Sequence, residues 1–67
     1  MIQITRLDGT EYFINPHMIE FMEKTHTTVI TMLSDKKVLV KESCEDIIKK
    51  IIKYRKNLGM WGNDPGI

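Results

Sequence analysis

The sequence predicts an α+β fold, a short antiparallel β-meander of about five strands followed by one C-terminal amphipathic helix. Three observations predict it. An Asp8-Gly9 pair divides two alternating stretches, which is a strong hairpin signal. Short runs of β-forming residues separated by turn residues continue as far as Val40. After Ser43 the spacing of apolar residues changes from the strand period to the helical one.

The first strand is expected over Ile2 to Leu7, with Ile2 and Ile4 on one face and Gln3 and Thr5 on the other. Asp8-Gly9 favours a type I′ turn. The return strand, Thr10 to Ile14, sets Tyr12 and Ile14 against Phe13. Asn15-Pro16 ends it, and suits either one short helical turn at Pro16 to Met18 or a plain turn. Ile19 to Lys24 fits both periods. A strand is favoured, because Thr25-His26-Thr27 reads as a loop and Thr28 to Leu33 is rich in β-branched residues. Ser34-Asp35-Lys36 turns the chain into Lys37 to Lys41, where lysines alternate with Val38 and Val40.

The helix is expected from Cys44 to Leu58. Ser43 is a natural N-cap, with Asp46 at the third position after it. Glu45 and Asp46 complement the positive end of the helix dipole. Ile47, Ile48, Ile51, Ile52 and Leu58 form one apolar stripe that should lie on the sheet. Gly59 is the expected stop, since glycine enters the left-handed region without steric cost.

The chain of 67 residues suits one domain over residues 1–58, with a flexible Gly/Pro-rich tail over 59–67. A domain of this size buries only about 60% of its unfolded surface, so a partner or self-association is expected. Phe13, Leu39 and Met32 are candidates for a second apolar face that a further copy would cover. A net charge of +1 gives no bulk attraction to nucleic acid. The lone cysteine excludes an internal disulfide framework. No apolar run approaches the ~20 residues of a membrane span, and the alternating N-terminus does not resemble a signal peptide. The expected compartment is the cytoplasm.

Little in the sequence suggests catalysis or a cofactor. Cys44 at a helix start would have a more acidic thiol, but Glu45 and Asp46 beside it oppose that effect. A half-buried structural cysteine is the plainer reading. His17 and His26 fall in predicted turns. There is no Cys-x-x-Cys, no His-x-x-x-His and no acidic metal loop. Gly9 belongs to a hairpin and not to a phosphate-binding loop. The expectation is no enzyme, no metal, no cofactor and no small-molecule substrate.

The candidate partner-binding residues are Lys49, Lys50, Lys53, Lys56 and Trp61. The lysines line the polar side of the helix. They suit a solvated face, a dock for an acidic protein surface, or a contact with nucleic acid or anionic lipid. No aromatic residues interleave with them as a base-stacking platform requires. Trp61 suits an anchor for a partner, since tryptophan is enriched in binding hot spots, and its flanking glycines oppose fixed packing in the core.

Taken in order, Ile4-Thr5-Arg6-Leu7-Asp8-Gly9, Asn15 with Ile19-Glu20, Thr28-Val29-Ile30-Thr31, Val40-Lys41-Glu42-Ser43 and the Ile47-Ile48, Ile51-Ile52 pairs carry a family resemblance. Over about residues 1 to 58 the chain resembles the small flagellar FlbD family, which includes SwrD-type swarming-motility proteins. That family is distinct from the larger transcriptional regulator sharing the FlbD name. The resemblance implies a non-enzymatic cytoplasmic protein encoded among flagellar genes. It also implies a role in raising the power of the flagellar motor through its stator units, with no catalytic residues to transfer. The matched polar residues have structural readings: Arg6 pairing across the sheet, Asn15 and Ser43 capping, Glu42 near the helix start. Two function classes follow, a flagellar motor or stator adaptor and a small nucleic-acid-binding regulator using the helix lysines.

Overall fold

Alternation of apolar and polar residues decides the strands. The computed structural model describes residues 1–58. The elements run β1 (Ile2–Thr5), β2 (Glu11–Ile14), a 3-10 turn (Pro16–Met18), β3 (Ile19–Lys24), β4 (Thr28–Met32), β5 (Lys37–Val40) and α1 (Cys44–Asn57). Asn15 begins the 3-10 turn by accepting a hydrogen bond from the His17 N–H at 3.0 Å. Ile19–Lys24 is a strand, as expected, with an irregularity in its pairing between Ile19 and Phe21. The predicted tail and Trp61 lie outside the described residues.

The strands form two antiparallel sheets, one of β1 and β2 and one in the order β3-β4-β5. They are not a simple meander, because the consecutive strands β2 and β3 are not paired. The hairpin instead joins β5 through an Arg6–Val40 bridge and a 2.8 Å bond from the Lys41 N–H to the Thr5 carbonyl. Inner-facing side chains from both sheets then meet. Ile2, Ile4, Ile14, Ile30, Val38 and Val40 are buried together with Ile47 of α1. Burying such side chains stabilises by roughly 1.5–3 kcal/mol each before entropic costs.

The β1–β2 hairpin differs from the type I′ expectation. The Gly9 N–H donates to the Arg6 carbonyl, and the Arg6 N–H donates to the Thr10 carbonyl, both at 2.9 Å. Gly9 alone in this turn has a positive φ, 91°, whereas type I′ needs one at Asp8 as well. The loop is therefore a type I turn closed by a left-handed residue. The β4–β5 turn repeats that pattern with Asp35 at φ 70°, a position that aspartate tolerates better than most residues.

Two expectations about apolar residues need correction. Met32 packs against the core, because its partner across the ladder is the inward Ile19. The helical stripe is also wider than the surface that receives it. Ile47 is fully buried, whereas Ile48, Ile52 and Leu58 are 46%, 43% and 55% exposed. Successive helical residues turn by about 100°, so Ile48 and Ile52 pass over the edge of the core that β1 and β3 provide.

Candidate functional site

The candidate site is the side of α1 that the core leaves free. Ser43 starts the helix, its hydroxyl accepting from the Asp46 N–H at 3.1 Å. Glu45 and Asp46 lie in the first turn, and Arg55 and Lys56 in the last, so both ends agree with the helix dipole.

A second latch fixes where the helix begins. Both Glu42 carboxylate oxygens are engaged by Thr5, one by its N–H at 2.9 Å and the other by its hydroxyl at 2.8 Å. Burial pushes the Glu42 carboxyl up, but these two bonds and the nearby Lys50 charge outweigh it and hold the group below its ordinary value. Sequence reading assigned Glu42 only a place near the helix start, because nothing local reveals a partner 37 residues away.

Ile47 points straight into the core, with Ile51 and Tyr54 packed at its margin. The Tyr54 ring meets the His17 ring edge-on, with centroids 5.8 Å apart, and so ties the 3-10 turn to the helix. His17 and Cys44 do not come together. Tyr54 lies ten residues beyond Cys44, roughly 15 Å along the helix, so His17 is far from the thiol. Among the described residues, no group of three or more His, Cys, Asp or Glu is arranged to hold a metal ion.

Lys49, Lys53 and Lys56 are exposed, as are Ile48 and Ile52. By helical spacing Ile48 and Ile52 lie beside Lys49 and Lys56, which gives two isoleucines with a cationic margin. Lys50 is separate from this margin. It is half-buried and lies with Lys53, Tyr54 and Gln3 along a shallow hollow of about 270 Å³ between the helix and β1. Trp61, the fifth candidate, lies outside the described residues. The lysines were legible from charge periodicity, but the exposed isoleucines were not, since periodicity does not report how wide a surface awaits the helix.

No described helix is long and apolar enough to cross a membrane. No curated protein and no solved structure shows significant similarity to the chain. Residues 1–59 match the FlbD family, described as flagellar and swarming motility proteins. That match takes in every element from β1 to the end of α1, and the chain belongs to the FlbD family of flagellar and swarming motility proteins.

Proposed function

We propose that the chain is a non-enzymatic, cytoplasmic interaction module at the flagellar base, which raises motor power by docking on a motor or stator protein. The observation that carries this reading is the free side of α1, where Ile48 and Ile52 are exposed beside Lys49 and Lys56, and exposed Lys53 follows one step further round the helix. Exposed isoleucines supply apolar area, while the lysines supply complementarity to an acidic partner surface. The motility family supports the flagellar setting. Phe13, Phe21 and Leu39, all exposed on the strands, offer a second surface on which a further copy would associate.

The test is motor torque in a strain lacking the protein. Torque falls while flagella are still assembled, and overproduction of the stator proteins restores it. Unchanged torque in the deletion strain overturns the reading. Binding to generic RNA or DNA that weakens steeply with salt, without a motor partner, would favour the nucleic-acid regulator instead.

A further inference from the structure

A second site lies away from α1. The β1–β2 turn and the start of β5 enclose a hollow of about 290 Å³, lined by Arg6, Asp8, Tyr12, Lys36, Lys37 and Leu39 among others. Two hairpin turns with left-handed residues, Gly9 and Asp35, bring its walls together. The Arg6 guanidinium carbon and the Lys36 ammonium each lie 5.7 Å from the centroid of the Tyr12 ring. Lys36 also donates to the Tyr12 hydroxyl at 3.3 Å. The phenolic oxygen is thus an acceptor, and its own proton remains free for another acceptor. Lys37 lines the same hollow and rests its ammonium 5.9 Å from the Phe21 ring centroid.

Two cations, Arg6 and Lys36, converge on the Tyr12 ring, while Lys37 contributes to the wall with its ammonium turned toward Phe21; Asp8 is the one carboxylate of the lining. Asp8 is partly spent, accepting from the Thr10 N–H at 2.9 Å. We infer that this hollow binds the phosphate of a small phosphate monoester. Such a group carries about −1.5 to −2 charges at neutral pH, which the two converging cations complement, and it offers three acceptor oxygens to Arg6, Lys36 and the Tyr12 hydroxyl. Leu39, 43% exposed at the rim, leaves apolar room for the ester's organic part. A carboxylate offers one charge and two oxygens and fits less well. The sequence expectation is no small-molecule substrate, and no glycine-rich phosphate loop is present. The cations here come from two hairpins instead.

The test is an amide NMR titration of the full chain with phenyl phosphate, using benzoate as the monoanionic control. Saturable shifts are expected at the amides of Arg6 to Thr10 and Lys36 to Leu39, with benzoate weaker by about tenfold or more. Arg6→Gln combined with Lys36→Gln should weaken phenyl phosphate by at least about tenfold, whereas Lys49→Gln with Lys53→Gln should leave it unchanged. Lowering the pH from about 7.5 to about 5.5 protonates the ester and should weaken binding several-fold. Unsaturated shifts, equal shifts along α1, equal benzoate affinity, or an affinity indifferent to this pH change would each overturn the inference. The benzoate and pH arms use the native chain, so they decide the matter even where the double variant does not fold.

Discussion

Ile47 and Ile48 are neighbours in sequence and chemically identical, yet truncating them should have very different consequences. Ile47 is 0% exposed and Ile48 46% exposed. Ile47→Ala removes fully packed atoms and leaves a cavity, at a cost of about 2–5 kcal/mol. Ile48→Ala removes a side chain that is already about half in water. It forfeits roughly half of a ~1.5–3 kcal/mol burial and leaves no closed cavity, so about 1 kcal/mol is expected. At ~0.05–0.15 kcal/mol per residue, the described 58 residues imply a total stability of only about 3–9 kcal/mol. Ile47→Ala should therefore leave a chain largely unfolded or close to it, while Ile48→Ala stays folded. Urea unfolding followed by far-ultraviolet circular dichroism reads the difference. With a slope near 1 kcal/mol per molar, the midpoints should differ by more than about 1 M. Equal losses for the two variants would refute the two-sided view of α1, and with it the reason for treating Ile48 as surface.

Three further outcomes are expected. The folded-state pKa of Glu42 is depressed, so its contribution is complete above its ordinary value near 4.5 and fades as pH falls through the lower folded-state value. Glu42→Gln should therefore be less stable than the native chain at neutral pH, and the gap should close on acidification below that ordinary value, as read by urea midpoints across the series. Gly9→Ala meets no neighbour within 4 Å, so its cost should be backbone strain alone, about 1–2 kcal/mol by thermal or urea unfolding. Ser43→Ala removes the bond to the Asp46 N–H and should cost about 0.5–2 kcal/mol, with Ser43→Asp recovering most of it in the same assay.

Features set by neighbours in sequence were the legible ones. The alternation of Ile2 and Ile4, of Val38 and Val40, and the Ser43 cap all act within a few residues, and all are present in the fold. Features set by distant chain were not. Thr5 and Glu42 meet because β1 lies beside β5, and no local pattern encodes that pairing. The same holds for the hollow around Tyr12, whose cations arrive from two separate turns. The Asp8-Gly9 signal located the hairpin but not its type, since the loop gained a residue and needed only Gly9 to turn left-handed. The free side of α1 was half legible. Its lysines follow from periodicity, while the exposure of Ile48 and Ile52 depends on how little surface β1 and β3 present to the helix.

Docking through α1 is tested most directly by motor torque with Lys49, Lys53 and Lys56 all changed to Glu. These side chains are exposed, so the protein should remain folded and abundant, losing at most about 1 kcal/mol of helix-surface charge pairing. Torque per motor should fall toward that of the deletion strain, and charge reversal on the acidic partner surface should restore it. A folded, abundant triple variant that delivers full torque would contradict the account and leave the lysines as a solvated face.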